Sequence, residues 1–313
     1  MSRRRFLGAA TAGAAALITG LARGSETARS GFRGTLCLFS KHLPDMDARP
    51  LARALKPLGF AGVDLTVRPG GHVAPERAAE DLPPFLRTLR EEALEVPMIT
   101  TALVSAADPS ARPILETAGR HHVSFFKPGY YRYAFVDVRK ELESAGAELR
   151  GLAALSARCG VQLGYHNHAG YLGGPVWDVA RLIDGLDPRW VGYYFDVRHA
   201  VVEGGDGGWR GALNLAAPRL KMVAIKDFFW EKTSMGWQQR NCPLGEGMVD
   251  WKEFFAALAK AGFHGPVSLH LEYEIPGATA AARQENTLAA AARDLAFLKA
   301  HLATAYAGSG ASG

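Results

Sequence analysis

The chain has 313 residues, of which 48% are hydrophobic and 21% charged, with 35 Gly, 17 Pro and three Cys. This ordinary globular composition excludes a disordered, collagen-like or disulfide-scaffold protein. The formal net charge is +5, but four arginines fall in the first two dozen residues: Arg3, Arg4, Arg5 and Arg23. Without them, 32 Lys and Arg side chains face 31 Asp and Glu, so the remainder is nearly neutral and offers no basic face for a nucleic acid.

Residues 1–30 are predicted to be an export signal. The start, Ser-Arg-Arg-Arg-Phe-Leu at 2–7, resembles the twin-arginine (Tat) pattern, and a mild Ala/Gly/Leu stretch at 8–22 follows it. An amphipathic first helix is the alternative, although so many Gly and Ala residues would make a poor core face. We therefore expect a periplasmic or extracytoplasmic protein. No stable membrane anchor is expected, because no Cys follows the stretch and no other apolar run approaches about 20 residues.

From residue 35 onward, short apolar runs alternate with segments of helical periodicity. Eight runs are predicted strands: 35–39, 62–66, 96–103, 123–127, 162–166, 191–196, 220–226 and 267–272. Predicted helices include 48–58, 76–94, 136–159, 176–186, 251–261 and 278–305. This α/β pattern predicts a single-domain (β/α)₈ TIM barrel over residues 31–306, followed by a disordered Gly/Ser-rich tail at 307–313. A doubly wound sheet is the alternative, but no Gly-rich phosphate turn follows the first strand.

Polar residues collect where the predicted strands end, which in a barrel is the catalytic mouth. Strand five ends in Tyr-His-Asn-His (165–168), strand six in Asp196 with His199 beyond it, and strand eight passes through His270 and Glu272. Buried carboxylates and imidazoles are costly unless they are paired or bind a metal, so the cluster indicates a divalent ion: Mn, Mg, Zn or Fe. Taken alone, His166 and His168 could instead be a hydrogen-bonded core pair. Lys226 could form an ordinary salt bridge with Asp64 or Glu272, and Lys127 could be a surface group.

Several motifs in order resemble the sugar phosphate isomerase/epimerase superfamily, with its xylose isomerase-like barrel. They are Gly-Val-Asp-Leu at 62–65, Tyr-His-Asn-His at 165–168, Asp-Val-Arg-His at 196–199, Val-Ala-Ile-Lys-Asp-Phe at 223–228, Gly-Glu-Gly-Met-Val-Asp at 245–250, and Glu272. The resemblance implies one divalent metal, usually held by Glu, Asp, His and Glu. Carried over by position, these are His166, Asp196, Ala224 and Glu272. Because Ala224 cannot be a ligand, His270 or His168 would have to replace it.

The resemblance also implies proton abstraction beside a carbonyl, giving an enediolate. Candidates for proton transfer or oxyanion stabilisation are His168, His199, Glu272 and Lys226. Candidate substrate contacts are Asp64, Arg68, His72, Lys127, Tyr131 and Glu246. Because phosphorylated sugars are mainly cytosolic, export favours an unphosphorylated keto-sugar or sugar derivative.

The predicted function is a metal-assisted isomerase or epimerase, or an eliminating lyase, with a small carbohydrate as its partner. The main alternative is a non-catalytic extracytoplasmic sugar-binding protein, because Ala224 removes a ligand. Schiff-base chemistry by Lys226 and a metal-dependent nuclease are less favoured. A homo-oligomer is compatible with the sequence.

Overall fold

The computed structural model describes residues 31–307, which form a closed barrel of eight parallel strands. In chain order the first seven barrel strands are β1 to β7: Leu36–Phe39, Gly62–Val67, Glu95–Thr101, Phe125–Lys127, Gln162–His166, Val191–Asp196 and Leu220–Ile225. After a two-stranded hairpin, the last barrel strand, β10 (Val267–Leu269), pairs in parallel with both β7 and β1 and closes the ring. The predicted (β/α)₈ barrel in a single domain is confirmed.

In the described part of the chain, eight α-helices, α1 to α8, follow the barrel strands. They are Ala48–Leu58, Ala78–Glu91, Ala111–Arg120, Val138–Cys159, Trp177–Ile183, Val197–Ala216, Trp251–Lys260 and Ala280–Tyr306. The sequence pattern did not delimit α3 or α6. Helix α6 contains five glycines, and Gly205 takes a non-helical conformation at a kink, so its helical propensity is weak and packing must maintain it.

A β-hairpin after strand β7 was also not predicted. Strands β8 (Asp227–Thr233) and β9 (Gly236–Cys242) are antiparallel and form a separate two-stranded sheet. Most of its side chains are half-buried or exposed, so it lacks the apolar run that marks the barrel strands. The hairpin lies over the mouth, because Asn241 donates a hydrogen bond to the backbone carbonyl of Glu272 at 3.1 Å.

The alternation of side chains along each strand determines what reaches the barrel interior. Met98, Tyr194, Met222 and Ala224 form a small buried cluster separate from the main core. Two residues further along their strands, on the same face, lie Thr100, Asp196 and Lys226. The interior is therefore filled by apolar and aromatic side chains below and by polar ones at the carboxyl ends of the strands.

The predicted leader (1–30) and residues 308–313 of the predicted tail lie outside the described residues, and both assignments therefore stay predictions. Within residues 31–307, no helix combines the length and apolar character needed to cross a membrane.

Candidate active site

A cavity of about 330 Å³ opens at the carboxyl ends of the barrel strands. Its wall combines imidazole, ammonium, guanidinium, hydroxyl and carboxylate groups with uncharged aromatic rings. The charged and hydrogen-bonding side chains of this wall include Lys41, Arg68, Lys127, Tyr130, His166, His168, Tyr194, Arg198, His199, Lys226, His270 and Glu272. The strand-end residues predicted from the sequence are thus largely brought together at one mouth.

Asp196, fully buried at the end of β6, is the centre of the polar network. Its Oδ2 lies 3.1 Å from Nζ of Lys226 and 3.2 Å from Nε2 of His166, while its Oδ1 accepts the backbone N–H of His199 at 3.0 Å. Burial by itself would raise the pKa of this carboxyl. Lys226 and the adjacent imidazoles outweigh burial and hold the pKa well below its usual range, so Asp196 is an anion.

Hydrogen-bond partners fix the tautomers of two histidines on this wall. His166 donates from Nε2 to the Asp196 carboxylate, so its Nδ1 accepts the hydroxyl of Tyr130 at 2.8 Å. His199 accepts from the Arg198 guanidinium at Nδ1, at 3.1 Å, so its proton is on Nε2. That Nε2 is buried without a hydrogen-bond partner in the described residues. It is a donor available to a ligand.

Two other histidines have the opposite arrangement, with a free acceptor nitrogen. His168 donates from Nδ1 to the carbonyl of Ala169 at 2.9 Å, which leaves Nε2 as an acceptor. His270 has Nε2 within 3.1 Å of the Tyr194 hydroxyl and 3.2 Å of the Ser268 hydroxyl. Both hydroxyls donate to the Asp64 carboxylate, so they accept from His270 and its Nε2 carries the proton. The buried Nδ1 of His270 is therefore an acceptor, and it has no hydrogen-bond partner within the described chain.

All four imidazoles are neutral near pH 7. Burial is the main cause: it lowers the pKa of His166 to about 3 and that of His168 to about 4. Burial and the positive charge of Lys226 also lower the pKa values of His199 and His270 well below the usual value. A neutral imidazole can accept a proton, which a charged one cannot.

Asp64 is the carboxylate that orders the floor of the site. It accepts hydroxyl protons from Thr100 at 2.7 Å, Ser268 at 2.9 Å and Tyr194 at 3.1 Å. Burial raises its pKa to about 6, although the three hydrogen bonds act in the other direction. Asp64 does not line the cavity; it accepts the Tyr194 hydroxyl and, through Tyr194, orients His270. Its role as a substrate contact stays a prediction.

Glu272 supplies a carboxylate to the wall and is paired with a residue that the sequence reasoning missed. Lys41, just after β1, donates to both of its oxygens at 2.8 and 3.0 Å, across 231 residues of sequence. Burial would raise the pKa of Glu272, but Lys226 and Lys41 lower it to about 2. Its Oε1 lies 3.8 Å from Nδ1 of His270.

Three predicted substrate contacts lie elsewhere. His72 is held by the hydroxyl of Thr66 at 3.0 Å and the carbonyl of Leu43 at 3.1 Å, beneath the loop after β2. Tyr131 donates to the carbonyl of Val104 and packs on the outside of the barrel, while its neighbour Tyr130 enters the cavity. Glu246 is exposed beside a different surface groove. Arg68 and Lys127 do line the cavity.

The sequence does not show which of the neighbouring side chains Tyr130 and Tyr131 enters the cavity. Strand β4 ends at Lys127, and beyond it the two-residue alternation no longer applies. Arg198 had a local signal, because it lies between Asp196 and His199. Lys41 had none beyond following the first strand.

The donor set does not fit a divalent ion as it stands. The four predicted ligands divide into two pairs, His166 with Asp196 and His270 with Glu272, and residues 31–307 contain no group of three or more His, Cys, Asp or Glu side chains placed to hold a metal. An ion on Asp196 would also have to displace the Lys226 ammonium, and Ala224 supplies no donor. We therefore derive no step through a metal.

The barrel fold of this chain is also the fold of a known protein family. A family model described as "Xylose isomerase-like TIM barrel" matches residues 52–301. The chain belongs to the xylose isomerase-like TIM barrel family. Membership confirms the superfamily expected from the motifs.

Among curated proteins, this family member is similar to inosose dehydratase of Bacillus velezensis, with 27% identity over 137 residues, and of Geobacillus thermodenitrificans, with 29% over 128. These matches cover 40% and 37% of the chain and 45% and 42% of the relatives, so the chain spans less than half the length of the curated relatives it matches.

Among solved structures, it resembles D-psicose 3-epimerase from Clostridium cellulolyticum H10, at TM-score 0.66 and 14% identity, covering 86% of this chain and 99% of that one. It also resembles 3-keto-D-glucoside 4-epimerase from E. coli, at TM-score 0.64 and 16% identity, covering 85% and 99%. At these identities the likeness shows the fold.

Proposed function

We propose that this protein is an enzyme that enolises a keto-sugar, and so acts as an isomerase, an epimerase or an eliminating lyase. The single observation that carries the proposal is the set of neutral imidazoles on one cavity wall. Two of them, His168 and His270, present acceptor nitrogens, and the buried ammonium of Lys226 lies between the same strand ends. Proton acceptors beside a fixed positive charge are what enolisation requires.

The first step breaks a C–H bond next to the sugar carbonyl. Nδ1 of His270 or Nε2 of His168 takes the proton, and the electron pair moves through the new C–C double bond onto the carbonyl oxygen. Lys226 and the Nε2–H of His199 then donate hydrogen bonds to the resulting oxyanion. Because these donors are already held by Asp196 and Arg198, little reorganisation is needed as the charge develops.

The second step determines the reaction type. Return of a proton to the opposite face of the same carbon gives epimerisation, and return to the former carbonyl carbon, with loss of the hydroxyl proton, gives isomerisation. Loss of a β-hydroxyl as water, with the proton that the imidazole took up in the first step, gives elimination, which the inosose dehydratase relatives make a specific candidate. His168 and His270 could divide the roles in epimerisation: one imidazole takes the proton on one face and then releases it to water, while the other relays a proton from water to the opposite face.

The predicted metal is not part of this proposal. Lys226 on Asp196 supplies the positive charge that the superfamily pattern assigns to an ion, and Lys41 neutralises Glu272. The same contacts support proton chemistry over a Schiff base, since Lys226 is held in an ion pair and an ammonium is not a nucleophile.

Hydrogen exchange with solvent tests the proposal directly. The purified full chain is incubated in D₂O with D-fructose, D-psicose and D-tagatose, and deuterium at the carbon next to the carbonyl is followed by NMR. Exchange is expected, and His270→Gln and His168→Gln should each lower its rate at least about 100-fold. His264→Gln is the matched control, because His264 lies before β10 at the other end of the barrel.

The sugar-binding alternative is decided in the same samples. Ala224 in place of a ligand is the observation that favours it. Saturable binding of a keto-sugar with no exchange by the wild-type protein would replace the enzyme proposal with that alternative.

A further inference from the structure

The cavity carries more positive charge than its own carboxylates neutralise. Five basic side chains line it, namely Lys41, Arg68, Lys127, Arg198 and Lys226, against one lining carboxylate, Glu272. Two of the five are paired: Lys41 with Glu272, and Lys226 with Asp196 beneath the wall.

Within residues 31–307, the remaining three basic side chains have no carboxylate within ion-pair distance, although Asp64 acts on Lys127 from further away. Arg198 is 6% exposed and contacts only neutral groups: Nδ1 of His199 at 3.1 Å, the amide oxygen of Asn241 at 2.9 Å and the ring of Phe228. Its Nε atom is buried without a partner in that range. The Asp196 and Glu272 carboxylates act on Arg198 only from beyond ion-pair distance. A buried guanidinium with no carboxylate in direct contact is costly, so its retention at a cavity wall points to a ligand that brings the negative charge.

Lys127 and Arg68 are two further basic side chains of the cavity wall that form no ion pair. Lys127 is 3% exposed, with Nζ 3.4 Å from the centre of the Tyr130 ring, and Arg68 lies over the ring of Phe39 at 5.5 Å. Burial lowers the pKa of Lys127 well below its usual value, and the nearby Arg68 lowers it further. An anion beside Lys127 would favour its charged form.

From these contacts we infer that the substrate is an anionic sugar, a sugar acid whose carboxylate is bound by Arg198 with Arg68 and Lys127. The cavity volume of about 330 Å³ is near the lower end for ligand sites and suits a single sugar unit. This inference rests on the proposed function and adds the class of substrate to it.

A carboxylate is favoured over a phosphate by the loop after β9. In TIM barrels a phosphate is commonly held by backbone N–H groups near strands seven and eight. Here the N–H groups of that loop already donate to the Asp227 carboxylate, from Gly245 at 3.0 Å, Gly247 at 3.2 Å and Val249 at 3.3 Å, together with the indole N–H of Trp251 at 2.8 Å. These donors are therefore not available to a phosphate.

Calorimetric titration of the full chain at low salt tests the inference with matched probes: D-fructose, D-fructuronate, D-fructose 6-phosphate and inorganic phosphate. D-fructuronate is expected to bind at least about tenfold more tightly than D-fructose. Arg198→Gln and Arg68→Gln should each remove most of that preference, while Arg53→Gln on the exposed face of α1 should keep it. Arg68 is half-buried, so its variant remains informative if Arg198→Gln unfolds.

Each outcome bears on a different statement. Equal affinity for D-fructose and D-fructuronate, or a preference that survives both cavity variants, overturns the sugar-acid inference and leaves enolisation untouched. Tighter binding of D-fructose 6-phosphate than of D-fructuronate assigns the cations to a phosphate and overturns the carboxylate. Preferential binding of D-fructuronate without deuterium exchange overturns the proposed enzyme activity alone.

Discussion

Nζ of Lys226 lies 3.1 Å from Oδ2 of Asp196, and the two residues are 5% and 0% exposed. A charged pair this deeply buried is stable only because each member compensates the other and further donors complete the carboxylate. His166 and the backbone N–H of His199 supply those donors. The pair therefore fixes a positive charge at the catalytic mouth and links strand β6 to strand β7.

Breaking that pair should cost both stability and activity. Lys226→Met leaves Asp196 buried and unpaired, so the free energy of unfolding should fall by about 3 kcal/mol, and deuterium exchange should be lost. Adding Asp196→Asn removes the uncompensated charge and keeps an oxygen for the His199 N–H, so part of the stability should return without activity. Urea denaturation of both single variants and the double variant measures the coupling. If the stability losses of the two single variants simply add up in the double variant, Lys226 and Asp196 do not stabilise each other.

Acid should unfold the protein earlier than its carboxylates alone would predict. Folded His166 and His168 have pKa values of about 3 and about 4, against about 6.5 when unfolded, so the unfolded chain binds more protons in between. Stability should therefore fall as pH drops from about 6.5 to about 4. Asp64, with its pKa raised to about 6, acts in the opposite direction between about 4 and about 6 and offsets part of this loss.

The histidines around the mouth outnumber the two carboxyls whose pKa values burial raises, Asp64 and Asp294. His42, His166, His168, His199 and His270 all have lowered pKa values. Urea midpoints at pH 7 and pH 5 measure the effect, and His168→Gln should reduce the difference between them. A midpoint unchanged between these values would show that the imidazoles are not held neutral by the fold.

Gly247 is required by the closeness of Asp227. A Cβ at this position would collide with the Asp227 carboxylate and the Phe228 carbonyl, so Gly247→Ala should destabilise the protein by about 2 kcal/mol. Gly207→Ala is the matched control: Gly207 is an exposed position of helix α6 with open space around it, and the substitution should be stabilising by about 0.5 kcal/mol. Thermal melts of the two variants should shift in opposite directions.

Removing metal tests the expectation that the sequence motifs raised. Because Lys226 rather than a metal ligand set faces Asp196, EDTA dialysis should change the deuterium exchange rate less than about twofold. Elemental analysis before and after dialysis establishes the metal content. Loss of exchange that is restored by Mn²⁺ or Zn²⁺ would mean that an ion displaces Lys226 and that the predicted metal site is real.

Export remains a prediction from residues 1–30. Arg3→Lys combined with Arg4→Lys should retain the protein in the cytoplasm of a host with a working twin-arginine pathway, since the pair is what that pathway reads. Cell fractionation followed by immunoblotting measures this. Substituting Arg23 by Lys is the control. Equal fractionation of all three forms would contradict the export signal.

Much of the fold could be predicted because its signals are local. A run such as 191–196 is apolar almost throughout because both faces of a barrel strand are buried, and the helix at 48–58 repeats its apolar residues every three to four positions. The bounds of helix α6 were not predicted because its glycines have low helix propensity, whereas tertiary packing keeps the segment helical. Hairpin β8–β9 was missed because its exposed faces leave no apolar run.

The sequence by itself determined the barrel, the family and the side chains placed at the strand ends, since strand alternation and chain order are properties of neighbouring residues. Only the tertiary structure decided which atoms face one another. Lys41 meets Glu272 across the closure of the barrel, Tyr130 rather than Tyr131 enters the cavity, and Lys226 lies against Asp196. These contacts depend on how distant strand ends converge and on which partners neutralise a buried charge. No local pattern encodes either of these.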